Sequence, residues 1–240
     1  NIRRGVGMAL FSYKTGVWPI SLEISGARLI LNQDGSVQLQ TGAAEIGQGS
    51  DTVFTQMAAE VLGLSPDDVH IQSFQDTDIT PFDTGAYASR QTYISGIAVK
   101  ECAELLKEKI LTYARTLVAE EYRDQELSLY DKQILCGRKP VLSLEELAFH
   151  SYYSRTSSAA ITSDVSRQIK KNTLAFGACF AEIEVDLKLA KIKILDIINV
   201  HDSGKIINPQ LASMQVHGGM SMGIGYGLSE QMLLDEKTGR

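Results

Sequence analysis

Three stretches of this chain carry residue types that suit the binding of an anion. The first is TGAAEIGQGSDT, Thr41 to Thr52, where Gly42, Gly47 and Gly49 punctuate the junction between a strand-like and a helix-like pattern. A glycine loop that opens a helix offers backbone N–H groups and the positive end of a dipole to a phosphate. The same loop also serves as a plain tight turn, and its spacing matches neither G-x-G-x-x-G nor the P-loop. The second stretch is ASRQT, in which Arg90 stands among Ser89, Gln91 and Thr92 at the expected start of a long helix. The third begins at Gln215, read as opening another helix. Two such sites and a third amide suggest one extended, polyanionic ligand held by backbone and side-chain amides.

Other chemistry is poorly supported. The four histidines (His70, His150, His201, His217) have no metal-ligand spacing, and no serine or cysteine has a nucleophile setting. Asp76 and Asp78 are close enough in sequence for an acid–base pair, but neighbouring loop carboxylates are ordinarily solvated. A net charge of −6 argues against nucleic acid or an anionic membrane as the main partner. No apolar run approaches the roughly 20 residues of a membrane span. The three cysteines (Cys102, Cys136, Cys179) are far apart and without a CxxC pair, as in a reduced cytoplasmic chain.

The elements that must position these stretches read as α+β. At 240 residues, 44% hydrophobic and 22% charged, the chain can bury one large or two modest cores. Strand signals lie in 6–12 and 20–40, with ARLILN and VQLQ forming a hairpin around Asp34-Gly35. Ser50 or Asp51 is the expected N-cap of a helix that buries Val53, Phe54, Met57, Ala58, Val61 and Leu62. A short strand is expected from Val69 to Phe74, and an ordered loop from Asp76 to Gly96. A long amphipathic helix follows, burying Ile94, Ala98, Cys102, Leu105, Leu106, Ile110, Ala114 and Leu117.

The stretch 124–175 is the least informative. It contains one capping box, Ser143 with Glu146, and a Ser/Thr/Lys/Arg-rich segment, 154–173, read as a loop. Cys179 to Asp186 and Lys191 onwards read as a hairpin with Leu187 to Ala190 as the turn. Asp186 would then face Lys191 and Glu184 face Lys193, each pair contributing roughly 0.2–1 kcal/mol. Gln210 to Met232 reads as a helix with Gly219, Gly223 and Gly227 on one face, suited to close backbone approach. DEKTGR at the end looks like a hairpin turn, so a longer polypeptide is expected.

Taken in order, EIGQGSDTVFTQMAAEVLG, GAYASRQTYISG, CFAEIEVD, HDSGKIINP and Gln215-Val-His-Gly-Gly resemble the molybdenum-binding subunits of the xanthine dehydrogenase family. RRGVGMALFSY and VHIQSFQDTD add to the likeness, which covers nearly the whole chain. It is most like bacterial members whose molybdenum, flavin and iron–sulfur parts are separate chains. The resemblance implies the mixed-sheet molybdopterin-binding domain of a molybdenum hydroxylase. Its first part would be 1–123 and its second 176–240, joined by a connecting helix and loop in 124–175.

The resemblance also implies a cofactor site. Gly47, Gln48 and Gly49 match a loop that contacts the pterin, and Ser50, Asp51 and Thr52 match positions near the dinucleotide phosphates. Ala88, Ser89, Arg90, Gln91 and Thr92 match a second cofactor loop, and Gln215, Val216 and His217 a third. The implied cofactor is molybdopterin with molybdenum, in its cytosine dinucleotide form. FAD and [2Fe-2S] centres would lie on partner subunits, in a dimer of heterotrimers at full length. The implied activity is hydroxylation of hypoxanthine or xanthine with oxygen from water. Other members oxidise aldehydes, nicotinate or carbon monoxide, and a non-catalytic docking module is the reading from another class. The family's catalytic glutamate sits in a Gly-Glu-Pro-Pro segment that this sequence lacks. No glutamate here is assigned that role by default, and residues 1–240 alone are expected to be inactive. Leu189-Ala190 stands where the family commonly has a Thr-Gly turn.

Overall fold

The structure is a computed structural model and describes residues 1–72, 74–155 and 159–239. It divides into two compact units, 14–173 and 1–13 with 174–240.

In chain order the elements are β1 (Ile2–Thr15), β2 (Ile24–Leu31), β3 (Val37–Thr41), α1 (Ser50–Leu62), β4 (Val69–Ile71), α2 (Gln91–Leu117) and α3 (Glu120–Arg123). Then come β5 (Leu127–Tyr130), β6 (Gln133–Cys136), β7 (Lys139–Ser143), α4 (Leu144–Tyr153), β8 (Thr162–Gln168), β9 (Thr173–Asp186), β10 (Lys191–Asp202) and α5 (Pro209–Leu228). The α+β class is as expected.

The 14–173 unit is built on a four-stranded sheet in the order β4-β3-β2-β8. β2 and β3 form the expected antiparallel hairpin, with Leu29 opposite Leu39. Asp34 holds its turn by accepting the Ser36 N–H at 3.0 Å and the Ser36 hydroxyl at 2.6 Å. Alternation along β2 and β3 puts Ala27, Leu29, Leu31, Val37 and Leu39 into the core. Phe54, Ala58 and Leu62 of α1 and Ala98, Cys102, Leu106, Ile110 and Ala114 of α2 belong to the same core. Of the expected α2 face, Leu105 and Leu117 are only half-buried. Burial pushes the Cys102 thiol up from its ordinary pKa, so it behaves as a small core hydrophobe.

Two expectations for 124–175 are corrected. Leu127–Ser143 is a three-stranded antiparallel meander, β5-β6-β7, and Thr162–Gln168 is a strand paired with β2. The β5–β6 turn uses Asp131 and Lys132, both at positive φ, so no glycine or Asn-Gly marks it in the sequence. β8 is polar because only Ser163 on it is buried. The Ser143–Glu146 capping box is present with both of its hydrogen bonds. The expected strand ends at Ile71, and Ser73 and 156–158 lie outside the described residues.

The unit of 1–13 and 174–240 holds a three-stranded sheet, β1-β9-β10, and the helix α5. The β9–β10 register sets Lys191 opposite Asp186 and Lys193 opposite Glu184, as the alternation requires. Glu184, however, makes its ion pair with Arg4 of β1, at 3.0 Å. α5 runs to Leu228, short of Met232, because the Gly225 carbonyl accepts both the Ser229 and Glu230 N–H groups and closes the helix. A Cβ on Gly219, Gly223 or Gly227 would meet nothing within 4 Å, so no described part of the same unit approaches that face. No helix is long and apolar enough to cross a membrane among the described residues.

Candidate functional site: two loops that open helices

β3 ends at Thr41, whose hydroxyl donates to the Gly26 carbonyl across the hairpin at 3.0 Å. The chain must then turn at once, and a Cβ on Gly42 would run into the Pro81 carbonyl oxygen. Gly47 and Gly49 take left-handed φ values of 100° and 84°, which glycine adopts without a side-chain clash. α1 begins at Ser50 with Gly49 as its N-cap and no capping side chain there, so neither Ser50 nor Asp51 is the cap.

The cap comes instead from Glu45. Its Oε1 accepts the N–H of Gly47 at 2.7 Å and of Gly49 at 3.0 Å. Its Oε2 accepts the Asp51 N–H at 3.1 Å and the Ser50 hydroxyl at 3.2 Å. Partial burial raises the Glu45 pKa, but the Gly49, Asp51 and Gly47 amides and the Ser50 hydroxyl together outweigh it and hold the carboxyl below its ordinary value. Of the donors that the sequence offers to a phosphate, the Gly47, Gly49 and Asp51 amides and the Ser50 hydroxyl are therefore already occupied by a carboxylate of the same chain.

Gln48 folds back over this loop. Its amide nitrogen donates to the Ala44 carbonyl at 2.9 Å and reaches the Ser50 hydroxyl at 3.0 Å. Its Oε1 accepts the Ile46 N–H at 2.7 Å. The same amide also meets the Gln91 side chain, whose nitrogen in turn donates to Ala44 O at 3.0 Å. The structure thus brings the first two predicted stretches together, joined by paired glutamine amides. Thr52 is exposed on the first turn of α1.

The second loop is arranged differently. Ala88 and Ser89 are consecutive non-glycine residues at φ 48° and 53°, a conformation costing roughly 1–2 kcal/mol per residue. They are held on one side by the Gly16 N–H, which donates to Ala88 O at 2.9 Å. On the other side Arg90 is wholly buried. Its Nε donates to Glu23 at 2.6 Å, and its Nη1 to Asp83 at 2.7 Å and Gly85 O at 2.9 Å. Its Nη2 reaches Ile24 O at 2.8 Å, and the Tyr87 ring lies 5.5 Å from its guanidinium carbon.

Arg90 is therefore not a surface cation waiting for a phosphate, which corrects the sequence reading: two buried carboxylates claim it. Glu23 also accepts the Val17 N–H at 2.6 Å, and Asp83 the Ser95 hydroxyl at 2.8 Å. Sequence reasoning missed Glu23, Asp83 and Glu45. Only Glu45 left a signal, as a carboxylate two residues ahead of Gly47. What the second loop leaves open is the start of α2. Its first turn has no side-chain cap, and Ser89 and Thr92 are exposed beside it. A helix leaves those first N–H groups without intrahelical partners.

Gln215, Val216 and His217 lie in the other unit, on α5. Gln215 does not open that helix: Asn208 does, its side chain accepting the Leu211 N–H at 3.0 Å, with Pro209 in the first turn. Gln215 is nearly two turns in and exposed, as is His217, while Val216 is half-buried. Asp76 is an exposed turn residue that accepts the Asp78 N–H at 3.0 Å.

Among the described residues no group of three His, Cys, Asp or Glu could hold a metal ion. The donors are glutamine amides, hydroxyls, a glycine with open space at Gly47, and the uncapped start of α2. That set suits an anion.

Solved structures share the architecture. Quinoline 2-oxidoreductase from Pseudomonas putida 86 superposes with a TM-score of 0.84 at 24% identity, over 98% of this chain and 31% of that one. Reconstituted CO dehydrogenase from Oligotropha carboxidovorans gives 0.83 at 26% identity, over 98% and 30%. The chain belongs to the molybdopterin cofactor-binding domain family, which matches it over residues 1–240. A putative xanthine dehydrogenase molybdenum-binding subunit of Escherichia coli K12 is 47% identical over 242 residues, covering 100% of this chain and 32% of that protein. A probable hypoxanthine oxidase of the same organism is 34% identical over 231 residues, covering 96% and 24%. The chain thus spans a third or less of the length of these curated relatives.

Proposed function

We propose that this chain is the molybdopterin-holding part of a xanthine dehydrogenase-type oxidoreductase. The whole enzyme would hydroxylate hypoxanthine or xanthine with oxygen from water and pass electrons to [2Fe-2S] and FAD centres on partner subunits. The observation that carries this reading is the 47% identity, end to end, to a protein described as a xanthine dehydrogenase molybdenum-binding subunit. The fold supports it.

In this reading the cofactor, when bound, supplies the oxygen transfer and the redox chemistry. The chain's own residues bind and orient it. Gly47 gives a face without a side chain, and Gln48 and Gln91 give amides already aligned by Ala44 and Ile46. Ser89, Thr92 and the first-turn N–H groups of α2 would hold a phosphate of the cytosine dinucleotide form. Thr52 would add a contact, and in the other unit Gln215, Val216 and His217 of α5 would be cofactor contacts by the resemblance alone. Ser50, Asp51, Ala88 and Arg90 would act by shaping the two loops. The complete enzyme would work in the cytoplasm as a dimer of heterotrimers.

The test uses the full-length protein purified from its native host. Metal analysis should find about one molybdenum per chain, acid should release a cytosine nucleotide, and hypoxanthine or xanthine should reduce an artificial electron acceptor. A preparation without molybdenum would overturn the cofactor reading. A loaded enzyme that oxidises an aldehyde and neither purine would overturn the substrate.

A further inference from the structure

The amides of Gly47, Gly49 and Asp51 and the Ser50 hydroxyl converge as an anion nest does, and the Glu45 carboxylate lies inside it. We infer that Glu45 is a resident anion and a positioning residue. It fills the nest at the start of α1 in place of a ligand phosphate, and in doing so folds Gln48 against Gln91. This rests on the proposed cofactor site and adds a division of labour to it: α1 presents neutral amides, and the phosphate end of the ligand goes to α2.

The geometry leaves little else for Glu45 to do. A carboxylate offers about four acceptor positions, and four donors fill them. It therefore has no lone pair left for a substrate proton and is no general base. A phosphate brought to the same amides would meet a carboxylate held in its charged form. Glu45 also closes a ring from residue 45 to residue 51. Within that ring Gly47 and Gly49 keep their left-handed φ values and Gln48 keeps its bond to Ile46 N. Without an anion the N–H groups would point at one another's positive ends and the loop would open.

Two variants of the full-length protein test this. Glu45→Ala empties the nest, and Glu45→Gln fills it with a neutral amide whose NH2 faces N–H donors. Both should lower the molybdenum-to-protein ratio by half or more. Formate at tens of millimolar, against chloride at equal ionic strength, should raise the melting temperature of Glu45→Ala by roughly 2–4 °C. Formate present during maturation should restore its metal content. Neither wild type nor Glu45→Gln should respond, because their nests are filled. A residue that only stabilised the fold would show no such anion-specific rescue. Wild-type loading in Glu45→Gln, or the absence of a formate response in Glu45→Ala, would overturn the inference. If wild type itself held no molybdenum, the proposed function would fail, and the formate melting comparison would still decide whether the nest holds an anion.

Discussion

The loops that open α1 and α2 are both knotted by one charged side chain, of opposite sign and in opposite surroundings. At α1 a half-buried carboxylate gathers backbone N–H groups from positions two, four and six residues ahead, so the knot is local. At α2 a wholly buried guanidinium reaches Glu23, 67 positions away, as well as Asp83, so the knot is tertiary. The first takes the Gly49 and Asp51 N–H groups and the Ser50 hydroxyl at its helix start, and the second takes no first-turn N–H of α2. Charge placement, more than the glycine pattern, decides which helix start is available to an anion.

The largest effect that separates the two knots should come from Arg90→Met. Removing the cation leaves Glu23 and Asp83 buried without their partner, a change that ordinarily costs about 3–5 kcal/mol. Trp18, the single tryptophan, lies one residue from Val17, whose N–H donates to Glu23, so its fluorescence reports on this region during urea unfolding. A loss below about 1 kcal/mol, the range of an exposed ion pair, would show that Arg90 is no keystone.

The α1 knot should yield to acid. The Glu45 carboxyl has its pKa lowered in the fold, so its contribution to stability is complete above the ordinary glutamate pKa. That contribution is lost as pH falls through the lowered value. The stability gap between wild type and Glu45→Gln should therefore be widest near neutrality and shrink below the ordinary glutamate range. Partial exposure and screening limit it to about 1 kcal/mol. A gap that stayed constant down to strongly acid pH would remove the charge from the explanation.

The contrast also explains what the sequence could and could not reveal. The α1 knot is built within ten residues, so the strand–turn–helix pattern is legible, although the anion in its nest is the chain's own carboxylate. The α2 knot joins Glu23, Asp83 and Arg90 across the chain, and no local pattern signals that a loop arginine will be buried. The buried stripe of α2 was readable from its period, while β8 was not, because an edge strand with one buried serine lacks apolar alternation. All the buried hydrophobic residues of the described chain lie between Ala27 and Ile161. None of the described residues in 1–13 or 174–239 is buried, although the β9–β10 register followed correctly from alternation and charge. Period-2 patterning fixes which residues share a face, and says nothing about whether that face is covered.

The smallest predicted effect tests the α2 start most sharply. Ser89 is exposed and left-handed, so Ser89→Gly relieves backbone strain. The relief is partly cancelled by the larger entropy that glycine gives the unfolded chain. The net gain should be up to about 1 kcal/mol, visible as a small rise in urea midpoint. The same change deletes a hydroxyl beside the uncapped first turn of α2, so the cofactor content of the full-length protein should fall. Strain kept at a binding loop has this signature: stability and loading move in opposite directions. If both rise together, the Ser89 hydroxyl has no part in holding the ligand, and the α2 start binds through its backbone alone.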